Sequence, residues 1–396
     1  MNKIKRNLKS KAFNLLDSSM KALSNLKKRP ETSKKDTKKK LKLKRPTSIR
    51  LSMKEKIFFV KRLSFLITAG VPILESLHMI EEQTSSKRFA KVMKNVVSDV
   101  TNGQFLSSSL AKFRKTFGEL VINVIYVGET SGVLSENLEY LGEELRKKHA
   151  LKRKVVGAFI YPAIVTAATL AITAFLMVYL FPKLMPVFTS LNVHLPFTTR
   201  AIIFLSNFLR DYGLILVGII ALISIAIPIL LKNVRAFHFI YDRLILRLPL
   251  IGKMIQYYNL ANINRTLSLL LKSGITLSEA LPMTAKSTPN LVYKKEMDSI
   301  LEVVNRGEKI SFYLKKHRDL FPEVNAHIIA VGERSGSLAD SLKYLSEMYE
   351  GEVDEFTKNL SNLIEPVLMI FMGLMVGFIA VSIITPIYGI TQSLSR

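Results

Sequence analysis

The most specific local signal in this 396-residue sequence is a pair of Gly-Glu-x-Ser-Gly segments, at Gly128–Gly132 and Gly332–Gly336. A serine between glycines can mark an exposed nucleophile, but that turn reads Gly-x-Ser-x-Gly, with the serine third rather than fourth. No histidine is adjacent to either segment to act as a base. The remaining chemistry is that of the carboxylate, which can accept backbone hydrogen bonds or bind a cationic side chain of a partner.

Both roles stay open for these segments. In a structural role, the glycines permit a tight turn between two helices, and the serines could cap the helices that begin near Leu134 and Leu338. In a functional role, each turn presents a glutamate to a partner at the end of a helical bundle. The candidate residues are Gly128, Glu129, Ser131, Gly132, Gly332, Glu333, Ser335 and Gly336.

Other motifs with known chemistry are absent from the sequence. It has no Gly-x-x-x-x-Gly-Lys-[Ser/Thr] phosphate-binding loop and no His-Glu-x-x-His metal motif. Its six histidines lack the spacing of metal ligands, and the absence of cysteine excludes disulfides, thiolate metal sites and cysteine nucleophiles. We therefore expect no catalytic, metal-binding or cofactor-binding residues and no enzymatic activity.

The net charge of +26 is concentrated at the N-terminus, where residues 1–50 contain 18 Lys or Arg and only three acidic residues. We predict a disordered basic arm over residues 1–53. The arm could be a solvated tail, a patch on anionic lipid or a nucleic-acid-binding segment. Its single aromatic residue, Phe13, makes base stacking the weakest of the three.

Three long uncharged runs predict membrane-spanning helices at 157–182, 212–231 and 363–388, since about 20 apolar residues cross a bilayer. Clusters of Lys and Arg precede the first span and follow the second, which indicates that those ends are cytoplasmic. The N-terminus is then inside. An external loop with an interfacial helix occupies 183–211, and a short external tail occupies 389–396.

The two remaining segments, 54–156 and 232–362, are predicted cytoplasmic domains and are copies of one another. With a constant offset of 204, residues 60–145 and 264–349 share 29 identical positions. Apolar residues recur at helical spacing in both copies, and Gly70 and Gly274 are suited to left-handed helix caps. We predict an all-α membrane protein with two homologous bundles of about six short helices and three transmembrane helices.

Opposite charges stand at equivalent places before the first and third spans. Arg146 aligns with Glu350, and Lys148 aligns with Glu352. We predict that these membrane-proximal helices face each other, within one chain or between subunits. Glu365, directly before Pro366 at the entrance of the third span, is either an interfacial anchor or a partner contact.

This pattern resembles the type II secretion F family of inner-membrane platform proteins. The resemblance covers about residues 55–390. It rests on the two Gly-Glu-x-Ser-Gly segments, on Gly70, Gly274, Glu365 and Pro366, and on the leucines Leu63, Leu66, Leu134, Leu267, Leu270 and Leu338.

The resemblance implies a bacterial inner-membrane platform for type IV pilus assembly or type II secretion. Its expected partners are a cytoplasmic ATPase, pilin or pseudopilin helices, other inner-membrane assembly proteins, membrane lipid and a second copy of the chain, as a dimer or higher homo-oligomer. The alternatives are a membrane transporter or channel subunit and a membrane-tethered nucleic-acid binder.

Overall fold

A computed structural model describes residues 51–183, 186, 197–249 and 251–394 of the chain. Across these residues the secondary structure is helical, with no strand. The predicted arm lies almost wholly outside them, as does most of the loop before residue 197. The all-α prediction is confirmed.

The first copy of the repeat forms a compact helical bundle, here called the first module. It comprises α1 (Met53–Thr68), α2 (Ile73–Glu82), α3 (Lys87–Thr101), α4 (Leu106–Ala111), α5 (Arg114–Phe117), α6 (Glu119–Ser131) and the start of α7 (Leu134–Phe175). The apolar stripe of α1 fills the centre, where the Phe59 ring lies 6.2 Å from Phe89 and 5.4 Å from Phe117. Burial of such aromatic side chains is the main source of stability in a small bundle.

The second copy forms the second module. After α8 (Phe197–Asn233) and α9 (Arg235–Arg247), it comprises α10 (Ile251–Lys272), α11 (Leu277–Ser287), α12 (Leu291–Asn305), α13 (Ile310–Lys316), α14 (Glu323–Ser335) and the start of α15 (Leu338–Leu394). Five helix starts, those of α2, α3, α4, α6 and α7, recur in the second module 204 residues later. One helix has no counterpart, because residues 318–321 form turns where the first module has α5.

Among the residues that the structure describes, three helices are long and apolar enough to cross a membrane: Leu134–Lys183, Phe197–Asn233 and Leu338–Ser382. The first and third continue without a break from a module into the apolar segment. The 23 residues from Leu134 to the predicted start of the span extend about 35 Å, so the start of α7 lies far from the membrane. The predicted interfacial helix of the external loop is the first part of α8, continuous with the second span.

The ends of the three apolar helices contact one another. Met177, Phe181 and Ile202 are buried together. The Ser206 hydroxyl donates to the Met177 carbonyl at 2.6 Å, and the Thr199 hydroxyl donates to the Ser382 carbonyl at 2.8 Å. These bonds satisfy hydroxyl groups that would otherwise be costly in an apolar environment. They hold the start of α8 against α15 and against the π-helical turn Leu176–Leu180 that continues α7.

Candidate functional site

The glutamate of the first Gly-Glu-x-Ser-Gly segment caps another helix of the same module. The Glu129 carboxylate accepts hydrogen bonds from the backbone N–H groups of Leu106 at 2.6 Å and Ser107 at 2.8 Å, at the start of α4. The first N–H groups of a helix have no partner within it, and a negative charge there also interacts favourably with the helix dipole. Glu129 therefore ties α6 to α4 across 22 or 23 residues of chain.

The second segment repeats this arrangement. The Glu333 carboxylate accepts from the N–H groups of Ile310 at 2.6 Å and Ser311 at 3.3 Å, at the start of α13. Both glutamates are half-buried. The backbone donors they satisfy belong to a neighbouring helix and not to the turn in which the glutamate lies.

The two glycines of each segment have different structural roles: one ends a helix with positive φ, and the other allows two helices to cross closely. Gly132 and Gly336 have φ of 73°, the left-handed conformation that ends a helix and that side chains other than glycine adopt only with strain. Gly128 lies where α6 crosses the start of α7, so a Cβ there would come within 2.8 Å of the Leu134 Cα. At Gly332 a Cβ would come within 3.0 Å of the Leu338 Cα.

The serines do not cap the following helices as predicted. The residue before α7 is Val133, with no capping bond from its side chain. Ser131 is instead the last residue of α6, and Ser335 is the last of α14. The Ser335 hydroxyl donates to the Val331 carbonyl one turn earlier and lies 2.6 Å from the Ser337 hydroxyl. The prediction was wrong because the left-handed glycine and one further residue separate each serine from the next helix.

The remaining candidate residues lie in two places. Gly70 and Gly274 adopt φ of 82° and 85° two residues after the last residues of α1 and α10 and form the predicted left-handed caps. Glu365 and Pro366 are exposed and lie inside the unbroken helix α15, far along the chain from the two segments. The structure therefore brings Gly70 toward the first segment, where the Thr68 and Ser135 hydroxyls lie 2.7 Å apart, and leaves Glu365 and Pro366 separate.

Three glycines with positive φ lie at one end of each module, here called its tip, and a further one, Gly118, precedes α6 in the first module. The tip of the first module carries Gly70, Gly103 and Gly132, and that of the second carries Gly274, Gly307 and Gly336. Each tip is the end from which the long helix departs toward the membrane.

The two tips differ in the side chains that they expose to solvent. The sequence analysis did not predict this difference. At three equivalent positions the first tip has Phe105, Tyr126 and Val133, all exposed, and the second has Lys309, Ala330 and Ser337. Aligning the two copies reveals the substitution, but only the structure shows that the three apolar side chains face solvent. At these three positions the first tip is the more apolar of the two, and exposed apolar groups are typical of surfaces that bind protein.

The two modules meet around a buried arginine. Arg265 of α10, 4% exposed, lies with its Nε 3.5 Å from a carboxylate oxygen of Glu144 on α7 and also pairs with Glu350 on α15. Burial raises the pKa of Glu144 to about 7, and the nearby Arg265 opposes that rise. Burial likewise lowers the pKa of Lys148 on the same helix.

The membrane-proximal parts of α7 and α15 face each other within one chain, with opposite charges in contact. Lys147 pairs with Glu347 at 3.2 Å, and Lys154 pairs with Asp354 at 2.5 Å. The predicted alignment partner of Glu350, Arg146, pairs instead with Glu143 of its own helix. Contacts join residues 200 apart rather than 204, so the two helices are displaced by one turn relative to the repeat.

Within the described part of the chain, no group of three or more His, Asp or Glu side chains is arranged to hold a metal ion. The arrangement described above supports mechanical roles: helix capping at the tips, a buried ionic contact between the modules, and continuous helices from each tip to the membrane.

Comparison with known proteins agrees with the repeat. A model of the family "Type II secretion system (T2SS), protein F" matches residues 59–182 and again residues 264–386. The type IV pilus assembly protein PilC of Thermus thermophilus is 32% identical over 356 residues, which cover 87% of this chain and 84% of that protein.

Two relatives from Pseudomonas aeruginosa come from type IV pilus assembly and from type II secretion, respectively. Its type IV pilus assembly protein PilC is 31% identical over 330 residues, covering 83% of this chain and 88% of the relative. Its type II secretion system protein F is 30% identical over 344 residues, covering 86% of this chain and 84% of the relative.

Proposed function

Because the chain belongs to the type II secretion system protein F family, we propose that it is an inner-membrane platform that couples a cytoplasmic assembly ATPase to pilin or pseudopilin subunits. The platform transmits motion of the ATPase to the extraction of those subunits from the membrane and to their polymerisation. The observation that carries the proposal is the continuity of α7 and α15 from the module tips into the spans. A displacement at a tip moves a stiff helix that enters the bilayer.

The apolar tip of the first module is the surface proposed to meet the ATPase. It lies about 35 Å from the predicted start of the span, given the helical rise of α7, and thus reaches away from the lipid surface. Its exposed Phe105 and Tyr126 are of the residue types enriched at protein interfaces. At the three equivalent positions the second module has Lys309, Ala330 and Ser337, so one ATPase contact per chain is expected.

The spans supply the second surface. They carry exposed apolar residues along their length, such as Leu170, Leu214 and Leu374, against which a pilin helix can pack in lipid. The basic flanks of the spans support a topology with the N-terminus and both modules in the cytoplasm and the C-terminus outside. Further platform copies, other inner-membrane assembly proteins and membrane lipid complete the proposed partners.

Deleting the gene tests the proposal as a whole. Surface fibres or secreted protein should disappear while the ATPase remains at its normal level, and the full-length chain supplied from a plasmid should restore them. Fibres and secretion that persist without the gene would refute the platform assignment.

A pair of matched phenylalanines tests the ATPase surface. Phe105 at the first tip and Phe312 on α13 are both 60% exposed. We expect Phe105→Ser to abolish co-purification of the ATPase and Phe312→Ser to leave it unchanged. Serine is a favourable residue at position 105, directly before α4, so loss of folding does not explain the result. Equal behaviour of the two variants would exclude the first tip as the contact.

A further inference from the structure

Among the described helices, α9 belongs neither to a span nor to the bundle shared by the two copies. Helix α9 begins at Arg235, two residues after α8 ends at Asn233. Val234 between them is extended, with φ −114° and ψ 100°, so the chain leaves the direction of the spanning helix there. By the repeat offset, α9 corresponds to residues 31–43, which lie outside the described part of the chain.

The inner face of α9 is fixed to the second module. The Asp242 carboxylate accepts a hydrogen bond from the Leu291 backbone N–H at 2.7 Å, at the start of α12, and lies 3.4 Å from the His238 ring. Asp242 is buried, and Ile245 and Leu246 beside it are half-buried. These contacts set the rotation of α9 about its axis and decide which face it turns outward.

The outer face carries an apolar stripe. Ile240, Tyr241 and Leu244 are exposed at spacings of one and four residues from Ile240, which place them along one side of the helix, and the exposed Leu248 follows the end of the helix. Leu244 is 60% exposed. Burial in the module therefore does not explain why these positions are apolar.

Basic residues border the stripe. Arg243 and Arg247 are exposed on one flank of it. Between Lys232 and Lys253 the sole acidic residue is Asp242, which is turned inward. A helix with an apolar stripe beside a row of arginines has the composition of an amphipathic helix that lies in a membrane interface.

Position favours lipid over a protein partner as the occupant of this surface. The predicted second span ends at residue 231, so α9 begins where the chain leaves the hydrocarbon core. Apolar side chains at this depth reach the acyl chains, and arginines beside them reach phosphate groups. A surface facing the cytoplasm would instead expose the stripe to water.

We propose that α9 lies in the plane of the membrane surface on the side of the two modules. Its stripe is inserted at the boundary of the acyl chains, and Arg243 and Arg247 bind the phosphate groups of anionic phospholipid. The inference rests on the spanning assignment of α8 and not on coupling to an ATPase. Through Asp242 and the start of α12, it anchors the second module to the leaflet as well as to its span.

The absence of tryptophan from the chain makes an introduced tryptophan a unique probe. We would place Leu244→Trp in the full chain in nanodiscs of phosphatidylcholine with phosphatidylglycerol and add lipids brominated near the top of their acyl chains. The control is Tyr344→Trp on α15, since Tyr344 is 59% exposed near the second tip. The Leu244→Trp variant should lose most of its tryptophan fluorescence, whereas the Tyr344→Trp variant should keep nearly all of it.

A second probe on the same stripe, Ile240→Trp, guards against local misfolding of the first. If both stripe variants are quenched no more than the Tyr344→Trp control, α9 does not contact lipid and the proposal fails. That result would leave the platform function untouched, because gene deletion and fibre counts test the function separately.

The arginines are tested in the Leu244→Trp background. Changing Arg243 and Arg247 together to glutamine should reduce quenching in nanodiscs that contain phosphatidylglycerol to the level seen in phosphatidylcholine alone. Quenching that is the same in both lipids, with and without the arginines, would overturn the recognition of anionic phospholipid.

Discussion

The two modules have the same backbone plan and different surfaces. Helix starts, left-handed glycines and the glutamate that caps α4 or α13 recur 204 residues apart. The tips and the faces between the modules do not recur. The repeated features hold each bundle together, so the positions at which the copies differ are the ones available for binding between modules and to partners.

Residue 61 and its equivalent, residue 265, show this difference most clearly. Lys61 is exposed and lies 3.7 Å from Glu143 of its own module. Arg265 is buried between Glu144 and Glu350, on helices from both modules. The same place in the bundle is thus a solvated surface in one copy and the centre of an interface in the other.

The largest loss of stability should come from replacing the buried arginine at this position. Arg265→Met leaves two carboxylates near the junction without their cation, and we expect a loss of about 3 kcal/mol in the free energy of unfolding. Lys61→Met, the matched change at an exposed pair, should cost about 0–1 kcal/mol. Denaturant unfolding of the purified chain in detergent measures both, and equal losses would mean that Arg265 does not join the modules.

The pH dependence of stability tests the buried contact between the modules through Glu144. Burial raises the pKa of Glu144 to about 7 from the usual 4.5. Between these values the folded chain keeps a proton that the unfolded chain releases, so this residue makes stability fall as pH rises through that window.

Glu144→Gln should remove that fall and should stabilise the chain above about pH 7, by about 2 kcal/mol. Glu143→Gln is the control, because the hydrogen bond from Arg146 lowers the pKa of Glu143 below the usual 4.5, so its stabilising contribution is constant in this window and is lost only at lower pH. Melting temperatures across the window distinguish them. A parallel pH profile for Glu144→Gln and the parent chain would contradict the expectation.

The crossing glycines should behave alike in the two copies. A Cβ at Gly128 would lie 2.8 Å from the Leu134 Cα, and a Cβ at Gly332 would lie 2.8 Å from the Ser341 Cβ and 3.0 Å from the Leu338 Cα. We expect Gly128→Ala and Gly332→Ala each to cost about 2 kcal/mol, because these atoms can give way only if the backbone shifts.

Gly351→Ala on α15 is the control for both, since a Cβ there meets nothing within 4 Å. It should stabilise the helix by about 0.5–1 kcal/mol. Thermal unfolding of the three variants gives the order, and a cost at Gly351 equal to that at Gly128 would show that helix propensity, and not the crossing, decides.

The capping glutamates should also behave alike. Glu129→Gln and Glu333→Gln keep a hydrogen-bond acceptor but lose the charge at the start of α4 or α13, and each should cost about 1 kcal/mol. Glu139→Gln, an exposed change on α7, is the control and should be nearly neutral. Hydrogen exchange at the first amides of α4 and α13 locates the effect, and protection that is unchanged would argue against capping.

The smallest effect is expected along α7 and α15. Reversing Lys154 to Glu should lower stability by about 0.5 kcal/mol, because exposed ion pairs contribute little. Reversing Asp354 to Lys in the same chain should restore it. A double variant no better than the single one would show that the 2.5 Å contact makes no net contribution.

Much of the fold was predictable because its signals are local. A helix end that requires positive φ selects glycine, and Gly70 with Gly274 have that conformation. A constant offset of 204 predicted that both bundles would be alike. The serines were assigned wrongly because helix ends shift by one or two residues without any change in the sequence pattern around Ser131 and Ser335.

The sequence by itself determined the spans, the duplicated bundle and the turns at the tips, since apolar runs, helical periodicity and glycine conformation each depend on neighbouring residues. Only the tertiary structure decided that Glu129 caps a helix 23 residues away, that Arg265 rather than Lys61 is buried, and that α9 turns an apolar stripe outward. Those outcomes depend on which surfaces of separate helices pack together. Burial at such a contact then decides whether a charged side chain is desolvated and paired or stays exposed to solvent.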